Sequence, residues 1–392
     1  MYVTRPRSNY KKDPTNALLG SLPEGPNSGY LVFQDEEAQS YCCFGLWKDS
    51  CIRHLPLPQD KNLTVTYIEG HGEDVTVDLD KVIFIPVLNQ PLSSNRYYVI
   101  RRKGKHQGEA CTSSKQEDMK KCLFCKCVKD VKPRPLDPFN EYQQFEIIRT
   151  RCGFYAKSIA EDAFPPLFLR RRSWSLCAKT PHNYNLDEAL GLNHSLRGQL
   201  LLPTSNVTLS NDRSDSVVIG KWYCPFMFVK EGMNLKDQMK RSVFYEMTLE
   251  QRWEKFFSKK NDEGSDEVFV DVVIETELAM VDGKEAFREE GNAGDGVVWF
   301  KNVDNVGVVV SVGLSFGIVE RMKWEQERGG WLGFNNKRQV RLTREEKFEG
   351  SNRWENFGCF VLVESFVLKR MDGSVVLTYD FRHTHQIMCK WE

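Results

Sequence analysis

The sequence predicts a mainly β protein, a β-rich α+β fold, and three observations lead to this prediction. Short runs of β-branched and aromatic residues, bounded by Pro, Gly and Asn, recur through the first half. Long stretches of the second half alternate apolar and polar residues, as strands with one buried face do. Asp-Gly pairs at 282–283 and 372–373 separate such stretches, where hairpin turns are expected.

Length and composition predict two domains. A chain of 392 residues is long for one core, and its 41% hydrophobic content is ample for folded domains. The stretch 203–216, PTSNVTLSNDRSDS, is polar and has no periodicity, as a linker does. We therefore expect an N-terminal β-rich domain over 1–202, a linker over 203–216 and a C-terminal antiparallel β domain over 217–392.

The first half is expected to be a short-stranded β domain. Its predicted strands are Tyr30–Gln34, Tyr41–Trp47, Leu63–Glu69, Lys81–Val87, Arg96–Arg102 and Tyr142–Arg149. Three similar phrases, SGYLVFQ at 28–34, NRYYVIR at 95–101 and CGFYAKSI at 152–159, suggest a threefold repeat of the β-prism kind. Their irregular spacing leaves an arrangement without repeats open.

One helix is predicted in the second half, near 249–259. Thr248 stands three residues before Gln251, which fits a capping box. Leu249, Trp253 and the pair Phe256–Phe257 then follow at helical spacing. The rest of this half is predicted to form an antiparallel sheet or sandwich around the helix.

The strands of the second half are predicted from the alternation of apolar and polar residues. Residues 268–280 place apolar side chains on one parity, and Asp282-Gly283 then closes a hairpin. FVLVESFVLKRM, Asp372-Gly373 and SVVLTYDF predict a second hairpin with a type I′ turn, and HTHQIMCKW predicts a terminal strand. Val306–Ile318 alternates over thirteen residues, which predicts either a long interior strand with both faces covered or one strand of a membrane hairpin.

Charge and targeting signals narrow the class of protein. The formal net charge is zero, so sequence-specific or bulk nucleic-acid binding is not expected. Locally, residues 101–134 carry eleven basic and four acidic residues, and residues 261–295 carry twelve acidic and two basic ones. We find no secretory signal and no apolar run long enough for a transmembrane segment, so we expect an intracellular protein, cytoplasmic or nuclear, with reduced thiols. Peripheral contact with a membrane stays open.

A cysteine cluster in the basic segment is the strongest candidate for chemistry. Cys122, Cys125 and Cys127 stand in KKCLFCKCVKD, and Cys111 precedes them. A CxxC pair can supply two of the four ligands that zinc needs, but no second CxxC follows. Structural thiols, redox or acylated thiols, and a zinc site therefore all remain open, with structural thiols favoured.

Two histidines form the other metal candidate. His383 and His385 are separated by one residue, so their side chains share one face of the predicted strand. Two ligands do not complete a site, and ordinary strand histidines are the simpler interpretation. We find no GxSxG, P-loop, HExxH or dinucleotide fingerprint, so no catalytic or cofactor-binding residue is predicted.

Several long phrases give the chain a family resemblance. They are the opening MYVTRPRSNYKKDPTNALLGSLPEGPNSGYLVFQDEEAQSYCCFGLW, LPLPQDKNLTVTY, VKPRPLDPFNEYQQFEI, VVIGKWYCPFMFVKE and ERMKWEQERGGWLGF. They resemble a plant-specific family of unknown function whose members sometimes carry the label "insecticidal crystal toxin domain". The resemblance implies no established activity, ligand or catalytic residue.

These observations favour a binding or interaction protein without catalytic activity, whose partner is an unknown protein or small molecule. A membrane-active, pore-forming toxin-like β protein is the alternative, based on the Val306–Ile318 strand and the label. A cysteine-dependent enzyme is the third interpretation.

Overall fold

A computed structural model shows a chain built mainly of strands. It describes residues 1–12, 22–42, 47–70, 74–122, 125–199, 207–262, 264–290, 296–303, 307, 309–331, 338–351 and 353–392. Within these ranges, strand residues far exceed helical ones. The predicted mainly β fold class is confirmed.

Most elements of the first half of the chain are short. Its strands are β1 Tyr2–Pro6, β2 Gly29–Phe33, β3 Tyr41–Cys42, β4 Trp47–Lys48, β5 Cys51–Ile52, β6 Asn62–Glu69, β7 Thr76–Pro86, β8 Arg96–Arg101, β9 Ser114–Lys115, β10 Met119–Cys122, β11 Cys125–Val128, β12 Gln144–Arg149, β13 Phe154–Ser158, β14 Ala163–Phe164 and β15 Ser175–Lys179. Its helices are α1 Ser8–Lys12 and α2 Leu167–Arg170.

Longer strands follow. They are β16 Gly191–Leu192, β17 Val217–Pro225, β18 Val229–Lys230, β19 Phe244–Lys260, β20 Glu267–Glu275, β21 Glu277–Val281, β22 Lys284–Glu290, β23 Val297–Val303, β24 Val309–Ser315, β25 Gln339–Lys347, β26 Asn356–Arg370 and β27 Val375–Trp391. The helices are α3 His194–Gln199, α4 Leu235–Arg241 and α5 Phe316–Arg328. Single 3₁₀ turns lie at Glu36–Ala38, Leu92–Ser94, Gln116–Asp118, Glu141–Gln143 and Phe226–Phe228.

The chain divides into two compact units. Unit 1 holds Met1–Ala189 with Tyr223–Tyr245, and unit 2 holds Leu190–Trp222 with Glu246–Glu392. The predicted linker at 203–216 stays a prediction, and its residues up to 206 lie outside the described ones.

Unit 1 is organised by a seven-stranded antiparallel sheet in the order β13-β12-β8-β7-β6-β15-β5. Its core is aromatic: Trp174 packs against Phe84 and Phe154, with ring centroids 6.4 and 5.3 Å away. The Trp174 indole also donates a 2.9 Å hydrogen bond to the carbonyl of Leu169, so its one polar atom is satisfied inside the core. Burial of these rings fixes which face of each strand points inward.

Unit 2 is organised by long antiparallel strands in the order β24-β23-β22-β21-β27-β26-β19-β17. A long pairing in this sheet is between β26 and β27, where the rings of Phe366 and Phe381 stack with their centroids 5.7 Å apart. Strands β20 and β25 form a separate ribbon that pairs Glu267 with Lys347 at one end and Glu275 with Gln339 at the other. The buried side of the ribbon, at Val268 and Val270, packs with Trp354 and Phe357.

The predicted helix at 249–259 is wrong, because these residues form the middle of β19. Burial alternates there, with Leu249, Gln251 and Trp253 all buried on one parity. Thr248 bonds the Glu250 carboxylate and Gln251 bonds the Glu364 carboxylate, so no capping box forms. Aromatic and β-branched residues suit a strand as well as a helix, and pairing with β17 and β26 decides for the strand.

The predicted strand Val306–Ile318 is also corrected. Among the described residues, strand β24 covers Val309–Ser315 and α5 begins at Phe316, while Val306 and Val308 lie outside the described residues. Val312 and Leu314 are buried as expected, but Val309 is 58% exposed and Phe316 is 41% exposed. Ile318, Val319, Met322 and Gln326 form the buried side of α5, a helical spacing that the period-two interpretation overlooked.

Both Asp-Gly pairs turn hairpins, by different turns. Asp282 and Gly283 have φ angles of 49° and 73°, as a type I′ turn requires. At 372–373 only Gly373 has a positive φ, of 84°, and the register shifts between Leu368 and Lys369. The hairpin is confirmed there, but the type I′ turn is wrong because a bulged turn with one left-handed glycine replaces it.

Candidate functional site

A cleft of about 480 Å³ opens in unit 1 and is lined mostly by residues of the basic segment 101–134. Its lining residues are Thr112, Ser113, Lys115, Asp118, Val131, Arg134, Asn140 and Tyr142. Their side chains are mostly polar, and neither His nor Cys is among them. The cleft therefore offers hydrogen bonds and charge rather than a nucleophile with its base.

Short local elements bring these residues together. Strand β9 pairs Lys115 with Ala163, and the 3₁₀ turn after it carries Asp118. Arg134 is placed by two backbone hydrogen bonds with Ala110, of 2.7 and 3.0 Å. Asn140 caps the turn Glu141–Gln143 by accepting from the Tyr142 amide at 3.0 Å. Loops distant in sequence thus converge on one cleft.

The charge at the cleft is dominated by two cations. The Lys115 ammonium lies 5.0 Å from the centroid of the Tyr142 ring, a favourable cation–π contact. Asp118 uses its carboxylate to accept the Lys115 amide at 2.8 Å. Within the described ranges, neither Lys115 nor Arg134 forms an ion pair with a carboxylate. Both charges remain available to an anion.

The hydroxyl groups of the cleft are held by their neighbours. Ser113 donates to the Ser158 hydroxyl at 2.9 Å, and Gln143 donates to Thr112 at 3.3 Å. The Tyr142 hydroxyl donates to Asp162 at 2.9 Å, and this bond raises the pKa of Tyr142. Tyr142 therefore stays neutral near pH 7 and adds no negative charge to the cleft.

The structure disperses the predicted cysteine cluster. Cys111 is fully buried, and burial raises the pKa of its thiol to about 12, so it is protonated near neutral pH. Cys122 and Cys125 are backbone partners across the hairpin β10–β11, and Cys127 is exposed on β11. Among the described residues, no three His, Cys, Asp or Glu side chains are grouped to hold a metal ion. The zinc interpretation stays untested.

The predicted histidines lie in unit 2, where His383 belongs to a buried ionic network. His383 Nε2 is 3.1 Å from Glu364 Oε2, and Arg197 Nε donates to Glu364 Oε1 at 2.8 Å. Gln251 adds a 2.9 Å bond to the same carboxylate. Each of these four side chains is at least nine-tenths buried. His385 stays outside the network, with its ring centroid 5.7 Å from that of His383.

The network holds Glu364 ionised. Burial by itself raises the pKa of Glu364, but hydrogen bonds from His383 and Arg197, with the Arg197 charge, outweigh it and lower the pKa. Neither Arg197 nor Glu364 was predicted from the sequence to be functional. The available signal was a lone glutamate inside the apolar phrase FVLVESFVL.

Comparisons with known proteins give a family match for part of the chain. The family described as "Protein of unknown function (DUF1262)" matches residues 24–125, which include the Thr112–Asp118 side of the cleft. The predicted similarity to a family of unknown function is thereby confirmed for these residues. No curated protein matches the chain.

A solved structure titled "Crystal structure of Cry35Ab1" is also similar to the chain. The TM-score is 0.41 and the identity 12%, and the match covers 86% of this chain and 90% of that one. Among the helices that the structure describes, none is long and apolar enough to cross a membrane.

Proposed function

We propose that this chain is an intracellular plant protein that binds a small anionic ligand in the cleft of unit 1 and catalyses no reaction. The main support is a pair of cations, Lys115 and Arg134, which line the cleft. In the described structure neither forms an ion pair with a carboxylate. Carboxylate and phosphate groups are the natural complements of such a pair. Plant origin is supported by the sequence phrases, and an intracellular site by Cys111 and Cys224, which are buried without forming disulfides.

The surroundings of the two cations support binding. The Tyr142 ring gives a ligand a flat apolar surface, and the side-chain amide of Asn140 lies beside it. Arg134 can grip an anion with two parallel hydrogen bonds, whereas Lys115 acts as a point charge. A ligand with one anionic group and a polar body would use all of these features.

We favour binding over the two other interpretations. The membrane-active alternative depended on a thirteen-residue strand at Val306–Ile318, and the last three of these residues belong to α5 instead. The cysteine-dependent enzyme needs an activated thiol, and one of the four cysteines of the predicted cluster, Cys111, is kept protonated by burial.

Calorimetric titration with inorganic phosphate, citrate and uncharged glucose tests the proposal. We expect citrate or phosphate to bind more tightly than glucose. The affinity for the anions should fall as the salt concentration rises from 50 to 300 mM, because salt screens the attraction between the ligand and the two exposed cations. Lys115→Ala and Arg134→Ala should each weaken binding about tenfold, the loss of roughly 1.4 kcal/mol.

Matched controls come from the same surface. Lys105 and Arg151 are exposed in unit 1 and do not line the cleft, so Lys105→Ala and Arg151→Ala should leave the affinity within a factor of about two. The proposal fails if no anion binds at millimolar concentration, or if the control variants lose as much affinity as the cleft variants.

A further inference from the structure

Two cysteines of unit 2 face each other across the longest strand pair. Cys359 on β26 and Cys389 on β27 are direct backbone partners, and their sulfur atoms are 3.1 Å apart. Direct partners in antiparallel strands have Cα atoms about 4.5–5.5 Å apart, within the range of about 4.4–6.8 Å that disulfides span. The sulfurs need to approach by only about 1 Å to bond, since an S–S bond is about 2.05 Å.

The two thiols differ in access to solvent. Cys359 is completely buried, whereas Cys389 is partly exposed. An aromatic cluster borders the pair, with Phe357 and Trp391 rings 4.2 Å apart between centroids. A small oxidant therefore reaches Cys389 first, and Cys359 lies behind it within contact distance.

We propose that Cys359 and Cys389 are an oxidisable dithiol that peroxides convert to an intramolecular disulfide. Hydrogen peroxide is the two-electron oxidant. The Cys389 thiolate attacks one peroxide oxygen, the O–O bond breaks, and the departing hydroxide takes a proton to become water. This leaves a sulfenic acid on Cys389.

Cys359 resolves that sulfenic acid. Its sulfur attacks the Cys389 sulfur, the S–O bond breaks, and hydroxide leaves with the Cys359 proton as a second water. Two thiols and one peroxide thus become one disulfide and two waters. The contact with Cys389 and burial both raise the pKa of Cys359, so Cys359 is poorly suited to attack peroxide first, and its position 3.1 Å from the Cys389 sulfur gives it the resolving role.

Peptide mapping tests the proposal on the full-length folded protein. Reduced protein is treated with one equivalent of peroxide, blocked with N-ethylmaleimide and digested without reductant. Trypsin releases Cys359 in the peptide 354–369 and Cys389 in the peptide 383–390. We expect these two peptides to be linked, and the linkage to disappear with reductant. Folded protein in which both peptides remain unlinked would overturn the proposal.

Single variants assign the order of events. In Cys359→Ala the sulfenic acid on Cys389 has no partner, so dimedone should trap several-fold more of it than in the wild type. In Cys389→Ser the buried Cys359 should stay unmodified. Cys51→Ser is the matched control, because Cys51 also has a cross-strand cysteine partner, Cys177, yet should leave the 354–369 linkage unchanged. Equal dimedone trapping in Cys359→Ala and wild type would contradict the resolving role.

Thermal melting gives an independent readout. A disulfide between residues thirty positions apart restricts the unfolded chain, so the oxidised wild type should melt about 5 °C higher than the reduced protein. Peroxide should not raise the melting temperature of Cys359→Ala. An unchanged or lower melting temperature in the oxidised wild type would contradict a bond that joins the strands as they stand.

Discussion

At the scale of single residues, the most demanding feature is the buried carboxylate of Glu364. An ionised group with 1% of its surface exposed is costly unless charges and hydrogen bonds replace water. Arg197, His383 and Gln251 supply them. Gly329 is part of the arrangement, because a side chain there would overlap the Arg197 guanidinium. The network is thus specified by residues from four separate parts of unit 2.

Removing the charge of Glu364 should be strongly destabilising. Glu364→Gln leaves the buried Arg197 without its counter-charge, and breaking a buried ion pair from one side costs about 3–5 kcal/mol. Urea unfolding measures the change in the free energy of unfolding. Glu345→Gln is the matched control at an exposed strand position and should change it by less than about 0.5 kcal/mol. Equal losses from the two variants would show that the network contributes nothing.

The same carboxylate predicts a pH dependence. The folded-state pKa of Glu364 is depressed, so its stabilisation is fully present above the unfolded pKa of about 4.3. That stabilisation is lost as pH falls through the lower folded pKa. Between pH 6 and pH 3, the free energy of unfolding should therefore fall more in the wild type than in Glu364→Gln. Parallel curves for the two proteins would contradict the depressed pKa.

At the scale of elements, runs of β-branched and aromatic residues predicted strands of the first half correctly, whereas the spacing of apolar residues misled the prediction at two places in the second half. Predicted strands at Leu63–Glu69 and Arg96–Arg102 match β6 and β8 within a residue. Around Trp253 the spacing of large side chains fitted a helix equally well, and only pairing with neighbouring strands resolves it. After Ser315 the alternation of large and small residues predicted a strand, but these residues form the helix α5.

The junction of β24 and α5 allows a paired prediction. Val312 is 3% exposed in the strand, so Val312→Asp buries an unpaired carboxylate and should cost more than about 4 kcal/mol or prevent folding. Phe316 is 41% exposed at the first position of α5. An acidic side chain at a helix N-terminus interacts favourably with the helix dipole. Phe316→Asp should therefore change stability by less than about 1 kcal/mol. Circular dichroism melts compare them, and an unfolded Phe316→Asp would favour a strand there.

Gly313 gives a test of close packing in the same strand. A Cβ at this position would lie 2.6 Å from Cγ1 of Val297 and 3.1 Å from the Trp299 ring. Gly313→Ala should thus cost about 1–3 kcal/mol through overpacking. Gly307→Ala is less suitable as a control because Gly307 has a positive φ, so the exposed Val309→Ala serves instead. A neutral Gly313→Ala would mean that the side chains of Val297 and Trp299 move aside without cost.

At the scale of the whole molecule, the candidate cleft lay beyond what the sequence could predict. The basic segment could be recognised in the sequence. A backbone bridge and two 3₁₀ turns bring its residues Thr112–Asp118 and Arg134 together with Asn140–Tyr142, and the sequence did not predict these elements. Such short irregular elements leave no periodic signal. The cysteines also show that closeness in sequence does not predict a shared environment. Cys111 and Cys127 belong to one cluster in the sequence, yet Cys111 lies in the core and Cys127 at the surface.

That distribution predicts the order in which the thiols of the folded protein react. Burial raises the pKa of Cys111 to about 12 and that of Cys224 to about 11, so at pH 8 both lack thiolate as well as access. Cys152 is exposed and should be alkylated at least about tenfold faster, since reactivity follows thiolate character and exposure. Isotope-coded maleimide labelling with peptide mapping measures each rate, and denatured protein should yield all twelve thiols.

Metal analysis of the same sample should find less than one equivalent of zinc, since Cys111 is buried, Cys127 is exposed, and no three His, Cys, Asp or Glu side chains of the described residues are grouped to hold a metal ion. Stoichiometric zinc lost in Cys122→Ser, together with protection of Cys127 from labelling, would instead establish a metal site on the β10–β11 hairpin.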